Sequence, residues 1–208
     1  MKNILLLATG GTIASVPGKD GLAPAMSADA LLRYIPEHGR LYNVDCVELM
    51  QLDSSSMQPE DWPRIAEAVY RAYDAYDGFV ITHGTDTMGY TAAALSYMLR
   101  PLAKPVILTG SQIPIGYEQS DGRKNLADAL RFACESVPGV FVIFDGKAIR
   151  GPGPSNGEPA TGMRSAASMP LMRHGSTGIW WFGTGFSRHR RPLPCSASNP
   201  PSARMSVS

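Results

Sequence analysis

No apolar run in this 208-residue sequence approaches the roughly 20 residues that a helix needs to cross a bilayer. The start, "MKNILLLATGG", puts a lysine before a short apolar stretch and so imitates a secretion signal. It is too short for one and ends in a glycine turn, so it is read as a first β-strand. Cysteine is scarce. Cys46, Cys134 and Cys195 share no regular spacing, and their odd number argues against a secreted disulfide scaffold. Cys46 and Cys134 sit in apolar patterns and are expected to be buried thiols of a protein in the reducing cytoplasm. Charge of one sign is also lacking, with a formal net of +1. The balance is uneven along the chain, however. From Gly151 onward there are six arginines, no lysine and a single acid, Glu158, so the first part is mildly acidic and the tail basic. The tail has neither interleaved aromatics nor a helical basic face, so no nucleic-acid partner is expected.

What is present is an alternation of strand and helix patterns. Lys2 to Ala8 reads as a strand buried on both faces, followed by the turn "TGGT" and a polar loop through Pro24. "SADALLRYIP" has an N-cap serine and helical spacing, and Tyr34 is placed in that helix as a core residue. "NVDCVELM" alternates as a strand. "PEDWPRIAEAVYRAYDAY" is the clearest helix, with Trp62, Ile65, Ala66, Val69 and Tyr73 on one face. "GFVIT" is a buried strand, and Asp86 is expected to cap the helix that runs through "MGYTAAALSYML". "PVILTG", the helix "GRKNLADALRFACES" and a last strand "GVFVIF" complete the order. That order predicts an α/β fold, with a mostly parallel sheet flanked by helices on both faces.

In such sheets ligands collect beyond the carboxyl ends of the strands. Four of those ends carry small polar groups: "TGGT", "LDSSS", "THGTDT" and "TGSQ". One such turn would mean little, but four outline a pocket rich in hydroxyls. The "ATGGTIAS" segment matches neither G-x-x-x-x-G-K nor G-x-G-x-x-G, so a phosphate cradle is not expected there. A threonine such as Thr12 can act as a nucleophile when a base takes its proton and nearby N–H groups stabilise the oxyanion. Thr85 and Asp86 place a hydroxyl and a carboxylate on the same rim. His83 follows an apolar strand, has no partner at metal-ligand spacing, and is read as a packed core histidine. Asp53 begins an Asx-type turn with Ser54 and Ser55. Those three side chains could also bind the polar end of an amino acid.

"TGGTIA", "HGTDTM" and "TGSQIP…SDG", in that order, resemble the bacterial L-asparaginases. "DSSSMQPEDW" and "YDGFVITHGTDTMGYTA" bring the chain nearest to the cytoplasmic type I enzymes, over nearly all of residues 1 to 151. The resemblance implies a flavodoxin-like N-terminal catalytic domain over 1–151. It also implies hydrolysis of L-asparagine to L-aspartate and ammonia, without metal or cofactor, in a homo-oligomer. Thr12 would attack the side-chain amide carbon, with Thr85 and Asp86 assisting. Asp53, Ser54, Ser55, Thr85 and Asp86 would hold the substrate, and Gln112 would stand at the pocket wall. A related glutaminase or amidase, or a non-catalytic Asn/Asp-binding relative, are the alternative readings.

Two departures from the family pattern stand out. Where many members carry a tyrosine in the loop after "TGGTIA", this chain has Leu22. Where the family has a lysine shortly after the last strand, in a pattern like R-G-[TN]-R-x-x-K, this chain reads "RGPGPSN" and Asn156 takes the lysine's place. Lys104 and Lys147 are the nearest lysines by type and read as surface charges. Reverse translation of "GPGPSNGEP" one base out of register permits Thr-Arg-Ala-Val-Lys-Arg-Arg-Thr, which restores the family segment. "MRSAASMPL" permits Asp-Ala-Phe-x-Ser-x-Asn-Ala-Pro in the same register. The expectation is therefore that one nucleotide is missing near the Gly151 codon, and that 152–208 is an irregular, out-of-frame tail rather than the family's smaller C-terminal domain. Weak or absent activity of this chain would follow.

Overall fold

The computed structural model describes residues 1–18, 21–36 and 39–151, together with the backbone of 168–174 and 178–181. Strand β1 (Lys2–Gly10) lies inside a sheet, paired in parallel with β4 (Tyr42–Leu52) on one side and β5 (Gly78–Thr82) on the other. Beyond β5 come β6 (Pro105–Thr109) and β7 (Gly139–Phe144), both parallel, then β8 (Lys147–Arg150), antiparallel to β7. The backbone of β9 (Ser168–His174) and β10 (Gly178–Trp181) continues the sheet, which runs β10-β9-β8-β7-β6-β5-β1-β4. A separate hairpin joins β2 (Ser15–Gly18) to β3 (Gly21–Pro24).

Alternation along the central strands divides the core in two. Ile4, Leu6, Val80, Ile107 and Phe141 face one layer, covered by α1 (Ala28–Leu32) and α4 (Gly122–Phe132). Leu5, Leu7, Phe79, Ile81, Val106 and Leu108 face the other, covered by α2 (Asp61–Arg71) and α3 (Met88–Met98). Both faces of β1, β5 and β6 are thus dry, which is why these segments read as continuous apolar runs. Each fully buried Leu or Ile on them contributes on the order of 2 kcal/mol.

The predicted α/β architecture with a mostly parallel, two-sided sheet is what the structure has. Several details differ. The loop expected through Pro24 contains the β2–β3 hairpin, with exposed Leu22 on β3. The helix expected to be capped by Asp86 begins one residue later, with Thr87 at the N-cap position and no side-chain capping bond. Tyr34 lies just beyond α1 rather than in it; the Arg123 guanidinium sits over its ring. Beyond Phe144 the turn Asp145-Gly146 has positive φ at both residues and joins β7 to β8 as a two-residue hairpin. The Asp-Gly pair is a strong hairpin signal, and the strand order expected from the sequence ends at β7, before β8, β9 and β10. Asn156, Cys195 and the frame junction lie outside the described residues.

Candidate active site

The chain leaves β1 to build β4 on one side and then returns to build β5 on the other, so the crossovers diverge between β1 and β5. Beyond the carboxyl ends of two such strands a crevice is left by topology alone. The loops carrying Thr12 and Thr85 emerge there, side by side.

Three loops interlock at this point. Gly11, at φ +79°, donates its N–H to Leu52 O at 2.9 Å, and the chain then makes a 3-10 turn over Thr12–Ala14. A Cβ on Gly11 would lie 2.4 Å from the nitrogen of Gly84, so the β1 loop rests directly on the backbone of the β5 loop. A Cβ on Gly84 would lie 2.4 Å from the Cβ of Ser54, so the β5 loop rests in turn on the β4 loop. Only residues without side chains allow contacts this close. The Asp86 N–H donates to Ser54 Oγ at 3.4 Å, and Thr87 Oγ1 donates to Ser54 O at 2.9 Å.

Ser54 is accordingly buried between loops, while Asp53 and Ser55 stay exposed. Asp53 Oδ1 accepts from Ser55 N at 2.9 Å and Ser55 Oγ at 2.7 Å, the Asx turn that the sequence predicts. The backbone N–H of Ser55, followed by its hydroxyl, holds the Asp53 carboxyl below its ordinary value, so it is an anion at neutral pH. Thr12 and Thr85 are half-buried and Asp86 is exposed. The structure therefore brings together the loops that carry Thr12, Ser54, Thr85 and Asp86, with Asp53 and Ser55 beside Ser54.

His83 is fully buried, as predicted. Its backbone N–H donates to Thr109 O at 2.8 Å, which ties the β5 loop to the end of β6. Gln112 is exposed in the next loop and is held through its backbone N–H, 3.0 Å from both carboxylate oxygens of Asp121. Asn125 Nδ2 donates to Asp121 Oδ2 and to Gly110 O, while Asn125 Oδ1 accepts from Asp145 N. Sequence reasoning reaches the "SDG" around Asp121 but misses this clamp. A signal for it exists, since an acid just before a helix is a natural acceptor for a preceding loop.

Neither lysine considered in the sequence reaches the loops of Thr12 and Thr85. Lys104 Nζ lies over the Tyr73 ring and donates to Tyr73 O, beside the start of β6. Lys147 pairs with Asp145 at 3.1 Å on an exposed hairpin. Among the described residues no group of His, Cys, Asp and Glu is placed to hold a metal ion, and no helix is long and apolar enough to cross a membrane. The arrangement offers a half-buried hydroxyl and a second hydroxyl next to a carboxylate, on loops that meet at a crevice. That is equipment for acyl transfer.

Comparison with known proteins bears on the same residues. A family model described as "Asparaginase, N-terminal" matches residues 3–159. The L-asparaginase of Thermococcus kodakarensis is 46% identical over 151 residues, which are 71% of this chain and 45% of that protein. The solved structure of a thermostable L-asparaginase from the same organism superposes with a TM-score of 0.71 at 36% identity, over 92% of this chain and 60% of that one. One component of the glutamyl-tRNA(Gln) amidotransferase of Pyrococcus abyssi is 41% identical over 150 residues, 71% of this chain and 34% of that protein. The chain thus spans about 45% and 34% of the lengths of the Thermococcus asparaginase and the Pyrococcus amidotransferase component.

Proposed function

The chain belongs to the asparaginase family through its N-terminal domain, and from that premise we propose that the crevice between β1 and β5 is built to hydrolyse the side-chain amide of L-asparagine. The observation that carries the reading is the stacking of Gly11 on Gly84 and of Gly84 on Ser54. It brings the loops carrying Thr12 and Thr85–Asp86 together, which supports their acting on one small substrate.

In the proposed reaction Thr12 Oγ1 bonds to the amide carbon and gives up its proton. The C–N bond breaks, the nitrogen leaves as ammonia carrying a proton, and water then cleaves the threonyl ester to release L-aspartate. Thr85 assists as the second threonine, and Asp86 and the anionic Asp53 take the substrate's α-ammonium group. Ser55 and the loop N–H groups meet its α-carboxylate, and Gln112 stands at the wall. Ser54, being buried, serves mainly by locking the loops. The domain doing this is proposed to be 1–151, cytoplasmic, and part of a homo-oligomer in a complete enzyme. No described lysine stands beside Asp86 to ease removal of the Thr12 proton, and Asn156 occupies the position that the family resemblance gives to one. Little or no turnover by this chain is the consequence.

Ammonia release from L-asparagine tests the reading on this chain and on a version with the reading frame restored after Gly151. The restored chain is expected to turn over, and Thr12→Ala in it to lose roughly a thousandfold or more. A restored chain inert toward every amide offered would sink the proposal. The likeness to the amidotransferase component favours one second reading, an amidase of different substrate. L-Glutamine and charged tRNA offered beside L-asparagine separate the two.

A further inference from the structure

His83, just after β5, meets Thr91 of α3 and Trp62 of α2 in one line of hydrogen bonds beneath the Thr85–Asp86 loop. His83 Nδ1 lies 2.7 Å from Gly84 O, His83 Nε2 lies 3.0 Å from Thr91 Oγ1, and Trp62 Nε1 lies 3.1 Å from Thr91 Oγ1. The donors follow from the chemistry of each group. A carbonyl only accepts, so Nδ1 carries the proton shared with Gly84 O. An indole N–H only donates, so Thr91 Oγ1 accepts from Trp62. The Thr91 hydroxyl proton then goes to the lone pair on Nε2. A neutral Nδ1–H imidazole satisfies every group in the line. An imidazolium would point a second donor at Thr91 Oγ1 and leave its hydroxyl proton without this acceptor.

The consequence lies at Gly84. The peptide joining Gly84 to Thr85 is trans, since Arg100–Pro101 is the only cis bond among the described residues. In a planar trans peptide the N–H of Thr85 runs antiparallel to the C=O of Gly84. The ring that holds this carbonyl is itself fully buried, so the carbonyl points inward and the Thr85 N–H points away from the ring. Gly84 is also wedged between Gly11 and Ser54, so its peptide has little room to settle in another orientation.

We infer that Trp62, Thr91 and His83 are positioning residues, whose hydrogen-bonded line sets the direction of the Gly84–Thr85 peptide and thereby aims the Thr85 N–H and hydroxyl at the substrate. The inference rests on the proposed function only for what the loop is aimed at. None of the three touches the substrate; they act through the Gly84 carbonyl.

The test uses the full chain labelled with ¹⁵N, with Thr91→Val to remove the hydroxyl at similar volume and Thr91→Ser to keep it. Three quantities are read: the ring-nitrogen shifts of His83, the amide resonances of Thr85 and Asp86, and the Kd for L-aspartate. Wild type and Thr91→Ser are expected to show the Nδ1–H tautomer and matching loop amides. Thr91→Val is expected to displace the Thr85 and Asp86 amides and weaken L-aspartate roughly fivefold, the effect of one lost hydrogen bond. An Nε2–H tautomer in wild type overturns the inference. So does a Thr91→Val protein of lowered Tm whose loop amides stay in place, because a purely structural role predicts that result. Wild type that binds no L-aspartate would count against the proposed function, while the amide shifts still decide the positioning role. Should Thr91→Val not fold, Trp62→Phe removes the indole donor alone and is expected to shift the same amides by less.

Discussion

The two loops that meet between β1 and β5 deliver a threonine to the same crevice by different means. The β1 loop is held mainly by backbone: Gly11 bonds to Leu52 O, turns at positive φ, and packs against another backbone, with one side-chain bond added from Ser15 Oγ to Gly11 O. The β5 loop starts from one backbone bond, His83 N–H to Thr109 O, and beyond it is held by side chains, with His83 beneath its carbonyl and Ser54 behind its amide. A backbone-built loop fails when its geometry is denied, and fails as a unit. A side-chain-built loop can lose one bond and remain folded, so its aim can change without its existence being at stake. Thr12, on the first, is placed by shape; Thr85, on the second, is placed by a network.

The sharpest way to break this contrast is Gly11→Ala. The new Cβ would need a left-handed backbone conformation and would lie 2.4 Å from Gly84 N. Strain and overlap together are expected to cost on the order of 3 kcal/mol. A urea midpoint shifted by that amount, with the Thr85 loop displaced as well, would show that the β1 loop is the rigid member on which the other rests. An unchanged midpoint would mean that the two loops do not abut as described.

The same contrast explains what is legible in the sequence. "TGGT" announces its glycines, and a turn with close backbone approach can be read from residues that are neighbours in the chain. Asp53 is equally readable, because its partner Ser55 is two residues away. The burial of His83 follows from its apolar context. Its partners do not, because Thr91 and Trp62 are brought to it by two different helices. Nothing local in "EDWPRI" or "GYTAAA" marks one residue of each as a relay. Ser54 shows the same limit. Its hydroxyl reads as a substrate ligand from the sequence, but its bond from the Asp86 amide, 32 residues away, cannot be read there. Strand order fixes such pairings, and strand order is the part of an α/β fold that periodicity does not reveal.

A titration at the far end of the sheet should leave both loops alone and so calibrates the comparison. Glu135 follows α4, near the start of β5, where the carbonyl of Ala133 packs against Gly78. It is 7% exposed, and its Oε2 has no partner among the described residues. Burial pushes its carboxyl up to about 7, against the opposing pull of Arg131. An acid whose folded value is raised contributes stability below its unfolded value and loses it as pH rises through the folded one. The loss therefore runs from about pH 4.5 to beyond pH 7. Glu135→Gln is expected to match wild type near pH 4 and to exceed it by ~1–2 kcal/mol at pH 8, read from urea midpoints. Loop amides that moved with this titration would show that the two ends of the sheet are coupled.

The finest test separates the two loops by pH. Burial pushes the His83 imidazole below its ordinary value, with the Gly84 carbonyl opposing that shift. For a histidine so depressed, stability is fully present above the unfolded value near 6.5. It is lost as pH falls, because the unfolded chain takes up a proton that the folded ring refuses. The loss is under about 1 kcal/mol at pH 6 and steepens below. Protonation also sets the Nε2 hydrogen against the Thr91 hydroxyl, so the strain falls on the β5 loop first. Hydrogen exchange corrected for its intrinsic pH dependence should therefore quicken at the amides of His83 and Asp86 before it quickens at Gly11, whose bond to Leu52 involves no titrating group. If all three amides lose protection together, the loops open as one unit, and the division between a loop held by shape and a loop held by a network is wrong.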